Sequence, residues 1–293
     1  MLSDNLLEKI EFTEEWKELF LKYQGLFGDE IEPYCRAYMS SEITMAEAME
    51  KIRRFESEDV SPYTVDLMFL LNLTGYLWEK YQESGISEEI FINSMKDITY
   101  KTKECIDVKG VWGTFVLSWF NGFFKNGRYG LGRLQYDKIP LVIDSVTVKG
   151  HTFKKGDMVL WCHIPSSGPL THELCIESYK MAYRIHKDIV KDGVLPIFCG
   201  SWFLYPEYIK VFGEESNITR FSKDFDIFHV NREETFRDSW RVFGMDCDNT
   251  DALPSKTSMQ RKFIEYIKGG GSFGHANGLL LFDGDKVITG RED

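Results

Sequence analysis

The sequence predicts an α+β protein, with an all-helical first part followed by a mixed-sheet α/β second part, on three observations. Apolar residues recur at three- and four-residue steps up to about residue 124. After Lys125-Asn126-Gly127 the period drops to two. The charge changes at the same place: residues 1–124 carry 12 Lys and Arg against 23 Asp and Glu, while residues 125–293 carry 23 of each, so the whole formal net charge of −11 lies in the first part. These shifts divide the chain into two domains, 1–124 and 125–293. With 293 residues, 43% of them hydrophobic, each can build a core without metals or disulfides.

In the first part, Leu6, Leu7, Ile10, Trp16, Leu19, Phe20 and Tyr23 mark one helix that stops at Gly25, with Gly28-Asp29 continuing the break. Thr44 and Glu47 form a capping box for a second helix with Met45, Ala48, Met49, Ile52 and Phe55 on one face. Ser61-Pro62 places an N-cap before an N1 proline and opens a long helix to about Ser84, ending at Gly85. Ser87 caps the next, with Ile90, Phe91, Met95, Ile98 and Cys105 turned inward. Val111 to Phe124 reads as helix or buried strand, helix being preferred. These apolar stripes are core faces.

In the second part, Tyr129–Tyr136, Leu141–Val148 and Met158–Ile164 read as strands, separated by turns at Asp137-Lys138, Lys149-Gly150 and Lys155-Gly156-Asp157. A helix from His172 to about Val190 follows, then a strand from Val194 to Ser201, a short helical segment near Pro206–Phe212 and strands around Thr219–Val230. Thr257 and Gln260 form the capping box of a last helix that ends at Gly269-Gly270-Gly271, before a strand from Leu279 to Phe282. Tight turns imply antiparallel neighbours, and the strand, helix, strand passage implies one parallel pair.

Several function classes are disfavoured. A neutral second part beside an acidic first part does not suit nucleic acid, whose binding rests on phosphate neutralisation. The longest uncharged apolar stretches, Leu67–Trp78 and Val111–Phe124, have 12 and 14 residues, short of the roughly 20 that cross a bilayer. The N-terminus places acidic residues among its apolar ones, unlike a secretion signal, so the expected location is the cytoplasm. Cys35, Cys105, Cys162, Cys175, Cys199 and Cys247 are scattered without a C-x-x-C pair and are expected to be reduced.

The stretch from Val159 to Val190 carries the most chemistry: a buried strand, a Gly/Pro/Ser loop and an amphipathic helix in succession. Such a junction turns backbone N–H groups and the positive end of a helix dipole toward an anion, although many such connections bind nothing. His163 ends the strand, where an imidazole can act as general base or serve as a hydrogen-bonded structural group. Glu173 falls in the first helical turn, a place a carboxylate favours with or without catalysis. His151, His172 and His186 read as surface or flank positions. Cys199, Gly200 and Ser201 close a neighbouring strand and can line the same cleft, but no G-x-S-x-G or papain-like context surrounds them. The spacing of Cys162, His163, His172, Glu173 and Cys175 matches no zinc pattern, so no metal is expected. Gly130–Gly132 precedes a strand, and Gly269–Gly278 reads as a helix C-cap and mobile turn.

The strings LGRLQYD (131–137), HIPSSGPLTHELCIESY (163–179), PIFCGSWFLYPE (196–207), SNITRF (216–221), WRVFG (240–244) and LPSKTSMQR (253–261) resemble the bacterial two-domain proteins with a helical N-acyltransferase N-terminal domain and a GNAT-like C-terminal domain. The resemblance covers nearly the whole chain. It implies a GNAT-like mixed-sheet α/β domain, with acyl-CoA, acetyl or longer, as co-substrate and an amine as acceptor. It implies that Ile164, Ser166, Ser167, Gly168, Leu170 and Thr171 lie where such proteins hold the CoA pyrophosphate. It also places Cys199, Ser201, Tyr205 and Tyr208 near the thioester. The expected chemistry is direct attack by the amine, with His163 or Glu173 taking its proton and Tyr205 or Tyr208 protonating the thiolate. The expected partner is a small-molecule amine or peptide acceptor, with no nucleic acid or membrane; a homo-oligomer stays open. A non-catalytic GNAT-like ligand- or partner-binding protein is the alternative.

Overall fold

A computed structural model describes residues 4–245 and 250–290; Cys247 lies outside the described residues. The chain divides into two compact units, Met1–Gly130 with Pro165–Ser167, and Leu131–Ile164 with Gly168–Asp293.

The first unit is helical. Its opening is two helices rather than one, α1 (Asp4–Lys9) and α2 (Glu14–Tyr23). Glu11 adopts a left-handed φ of 67°, and the Thr13 hydroxyl accepts the Trp16 amide, so a second N-cap interrupts the apolar stripe. Gly25 does not stop the chain either. Gln24–Gly28 forms a π-helical turn that runs on into α3 (Asp29–Met39). A Cβ on Gly28 would lie 2.2 Å from Gln24 Nε2, so glycine here serves close packing instead of termination.

The capping box at Thr44 and Glu47 starts α4 (Met45–Ile52), Ser61 caps α5 (Pro62–Glu83) and Ser87 caps α6 (Glu88–Lys109), as their sequences predict. Leu67, Met68, Phe69, Leu70 and Leu71 are all fully buried. One amphipathic stripe cannot bury five successive residues, so α5 is the central helix, with α3, α4 and α6 packed around it. The stretch from Val111 is mostly irregular and ends in a 3-10 turn (Leu117–Phe120) and the short α7 (Asn121–Lys125). Tertiary bonds override the helical pattern there. The Thr114 amide donates to Tyr63 O at 2.9 Å, Thr64 Oγ1 donates to Trp112 O at 2.8 Å, and a Cβ on Gly113 would meet the Tyr63 carbonyl carbon at 2.4 Å.

The second unit is built on a mixed sheet. Its strands are β1 (Tyr129–Leu131), β2 (Leu134–Pro140), β5 (Met158–His163), β6 (Leu195–Ser201), β7 (Asp226–Glu233) and β8 (Phe273–Phe282), in the order β1-β2-β5-β6-β8-β7. Between β2 and β5 the chain makes a separate hairpin, β3 (Ser145–Val148) and β4 (His151–Lys154). The pairs β2/β5, β6/β8 and β7/β8 are antiparallel, while β5/β6 is parallel. One face is covered in part by the hairpin, whose Val146, Val148 and Phe153 pack with Val159, Leu279 and Leu281. The other face carries α8 (His172–Ile185): Tyr179 meets Phe282, and Ser178 Oγ lies 2.9 Å from Tyr136 Oη.

Four local expectations change. Asp137 and Lys138 are not a turn but the middle of β2, because their alternation continues the strand and β5 supplies a full antiparallel partner. The strand expected from Leu141 begins only at Ser145. The segment from Thr219 starts as α10 (Asn217–Lys223), capped by Ser216, before β7. Phe273–Gly278, expected as a mobile turn, is the first half of β8 and pairs with both β6 and β7. The remaining helices are α9 (Ile209–Phe212), α11 (Ser239–Phe243) and α12 (Ser258–Lys268), the last opened by the Thr257/Gln260 capping box. The five described cysteines are buried free thiols, and burial pushes Cys105 up to about 11 and Cys175 to about 12.

His186 is buried at the end of α8 rather than exposed, and desolvation lowers its pKa to about 4. Asp224, at the end of α10, is also buried, and desolvation raises it to about 6 against the opposing pull of His172 and the Tyr179 hydroxyl. The signs oppose. Neutral His186 contributes stability that is lost as pH falls from 6.5 toward 4. Protonated Asp224 contributes stability that is lost as pH rises from 3.8 through 6. Each shift corresponds to about 3 kcal/mol. In urea titrations His186→Gln should therefore gain on wild type as pH falls from 7 to 4. Asp224→Asn should be the more stable protein at pH 7.5 and converge with wild type near pH 4. Parallel pH profiles for all three proteins would contradict this assignment.

Candidate active site

The site starts from the junction between β5 and β6. Their parallel register covers Leu160 with Ile197 and Trp161 with Phe198, whereas β6 continues to Ser201 paired with β8. His163 is the last residue of β5, beyond those pairs.

His163 Nε2 lies 2.9 Å from Asp137 Oδ2 on β2, and both side chains are largely buried. Antiparallel register explains the contact: Asp137 stands opposite Trp161 and Gln135 opposite His163, so Asp137 reaches the imidazole diagonally. An acidic partner on one ring nitrogen orients the ring and fixes which nitrogen faces the cleft. Trp161 stacks on His163, with ring centroids 5.5 Å apart. Gln135 is buried beside them, and its Oε1 has no hydrogen-bond partner among the described residues. The arrangement can hold a proton donor against a base. In sequence Asp137-Lys138 resembles a turn, and the signal that marks Asp137 as a strand residue facing His163 is the alternation Gln135, Asp137, Ile139.

The loop after β5 is tied down residue by residue. Buried Arg133 donates to Pro169 O at 3.0 Å and Gly168 O at 2.9 Å. Because C=O and the next N–H of a trans peptide point opposite ways, the Leu170 amide is turned away from Arg133. Thr171 caps α8 by accepting the Leu174 amide, and the first-turn amides of this 14-residue helix lack intrahelical acceptors. Ser166 Oγ donates to Glu104 Oε1 at 2.6 Å, within the first unit. Gly168 has a φ of 101°, a conformation that strains other residues. Pro165 and Pro169 contribute no amide donors. Ile164 is half-buried, and Ser167 Oγ is buried without a partner among the described residues.

The remaining candidates lie elsewhere. Glu173 is exposed, and its own backbone amide and the Thr171 hydroxyl hold its carboxylate below the usual range, which makes it a weak base. Ser201 Oγ accepts the Phe203 amide at 3.1 Å and caps a 3-10 turn. Along β8, Gly274, Ala276 and Gly278 alternate with His275, Asn277 and Leu279. Tyr205 packs on Gly274, while Asn277 faces Gly200. The sheet therefore separates Tyr205 from the His163 face. Tyr205 Oη bonds Ser272 Oγ at 2.8 Å. Tyr208 is enclosed by Trp202, Phe212, Phe236 and Phe263, and burial raises its pKa, which makes it a poor proton donor. Among the described residues no group of three or more His, Cys, Asp or Glu is placed to hold a metal ion, and no helix is long and apolar enough to cross a membrane.

The chain thus builds a helical unit and then a mixed sheet with one parallel junction and a strand–loop–helix at its end. Family models agree: an N-acyltransferase N-terminal domain matches residues 1–126 and a GNAT-like C-terminal domain matches residues 129–280. The chain belongs to this family of two-domain GNAT-like N-acyltransferases. No curated protein matches. Among solved structures, an acyltransferase in complex with decanoyl-CoA and teicoplanin is similar at 18% identity, with 94% of this chain and 86% of that one covered and a TM-score of 0.69. Another, an acyltransferase in complex with decanoyl-CoA, is similar at 15% identity over 95% of this chain and 99% of that one, with a TM-score of 0.59. At these identities the likeness is one of fold.

The Arg133 contacts predict loop order. In Arg133→Met, Gly168 O and Pro169 O lose their donor. Stability should fall by about 1.5–3 kcal/mol, the usual worth of a hydrogen bond from a charged group. Amide exchange at Gly168 and Leu170 should accelerate in mass spectrometry; unchanged exchange there would show that Arg133 does not order the loop.

Proposed function

We propose that this protein transfers an acyl group from acyl-CoA to an amine by direct attack on the thioester. The observation that carries the reading is the Asp137–His163 pair at the end of β5, beyond the last residues that pair β5 with β6. The family membership and the two similar acyltransferases described with acyl-CoA support the donor.

In this reading His163, oriented by Asp137, takes the proton from the attacking amine. Gln135 Oε1, which has no hydrogen-bond partner among the described residues, accepts a second N–H and turns the nitrogen lone pair toward the carbonyl. The nitrogen forms its bond to the carbonyl carbon, the tetrahedral intermediate collapses, and the C–S bond breaks to release CoA, to which the proton from His163 passes. The Leu170 amide and the first-turn amides of α8, with Ile164, Ser166, Ser167, Gly168 and Thr171 shaping the loop, hold the pyrophosphate. Glu173, Ser201, Tyr205 and Tyr208 stay outside the chemistry. The acceptor is a small-molecule amine or peptide; one similar protein is described with teicoplanin, which fits that class.

The test is calorimetry with CoA and with acetyl-, octanoyl- and decanoyl-CoA, followed by thiol release in the presence of a panel of amines. Binding of at least one thioester and amine-dependent thiol release are expected. His163→Ala should lower turnover about 10²- to 10⁴-fold with thioester binding retained. Failure of every CoA species to bind would overturn the reading. Binding without thiol release from any amine would favour a non-catalytic binding protein.

A further inference from the structure

On the sheet face that carries His163, one position has no side chain. Trp161 and Phe198 are in register on β5 and β6 and touch edge to face, with centroids 5.6 Å apart. Trp161 and His163 stack on that same face. Two residues further along each strand stand His163 and Gly200. On the other side of Gly200, β8 places Asn277 directly opposite it. Residues opposed in an antiparallel pair share a face.

The glycine is there for Asn277. A Cβ on Gly200 would lie 2.8 Å from Asn277 Oδ1, while its next neighbours, two ring carbons of Phe198, are at an ordinary 3.7 Å. The carboxamide therefore overhangs bare strand. It is half-buried and makes no hydrogen bond among the described residues. Gly200 lies about 4.8 Å from Asn277 across the β6/β8 pair and, on its other side, faces His163, two residues past the last pair of β5 with β6. An imidazole with its carboxylate thus faces a carboxamide across a slot floored by main chain. Rotation of the amide about its last torsion presents either the oxygen or the NH₂ group to that slot.

We propose that Asn277 is a second catalytic group, whose Nδ2–H donates to the acyl carbonyl oxygen while His163 takes the amine proton. The proposal rests on the acyl-transfer reading above and adds the missing half of the charge balance. When the amine nitrogen bonds to the carbonyl carbon, the π electron pair moves onto oxygen; Asn277 stabilises that oxyanion until the pair returns and the C–S bond breaks. Gly200 keeps the slot open, since any side chain there would displace the donor.

The test compares two uncleavable ligands of equal chain length: a decanoyl ketone analogue of CoA, with methylene replacing the thioester sulfur, and S-decyl-CoA, which has no carbonyl. Wild type should bind the ketone about five- to tenfold more tightly in calorimetry, the effect of one hydrogen bond. Asn277→Asp, which keeps the shape and loses the donor, should abolish that preference, as should Asn277→Ala. Gly200→Ala should do the same by pushing Asn277 aside, with thermal unfolding confirming that each variant folds. A ketone preference unchanged in Asn277→Asp and Asn277→Ala would overturn the proposal and leave the acyl-CoA reading standing. No binding of either ligand to wild type would overturn both.

Discussion

The feature on which the second unit depends is a parallel strand pair two residues long. Antiparallel neighbours can be joined by tight turns, but a parallel pair needs a crossover, so the chain must leave β5, pass through a loop and α8, and return as β6. That requirement places a helix N-terminus at the end of β5, buries one sheet face under α8 and leaves His163 at the end of a strand. β6 is paired with β8 along its whole length, whereas its register with β5 ends at Trp161 and Phe198.

The buried polar groups follow the sheet register. Tyr136 and Asp137 are adjacent in β2 and so point to opposite faces: Tyr136 meets Ser178 of α8, while Asp137 meets His163. One strand thereby supplies a structural hydrogen bond on one side and the carboxylate that holds His163 on the other. Asp224 and His186 stand apart from this pattern. Each is buried with its charged form disfavoured, and their opposed responses to acid leave little net pH dependence from the pair.

The first unit solves a different problem. Its acidic surplus sits on helices arranged around α5, whose centre is apolar on every side. Where charge does enter the interior it is held by aromatic rings and hydrogen bonds. Arg128 lies 3.8 Å from the Trp119 ring centroid and donates to Trp119 O, and the indole N–H donates to Asp97 at 2.8 Å.

Features held by short-range bonds can be read directly from the residues. The caps at Thr44, Ser61, Ser87 and Thr257, the helix from His172 and the strand ending at His163 are legible because each depends on residues within one turn or on simple alternation. The sequence's misreadings share one cause, a distant partner. Asp137 looked like a turn until β5 paired with it, Phe273–Gly278 looked mobile until β6 and β7 enclosed it, and Val111–Val116 lost its helix to the Tyr63 carbonyl. The site was half-legible: His163 and its loop were evident, whereas Asp137 lies 26 residues away and Asn277 further still. Which candidates meet depends on long-range pairing, because strand register sets the face each side chain occupies, and a shift of one residue would send Tyr136, not Asp137, toward the imidazole.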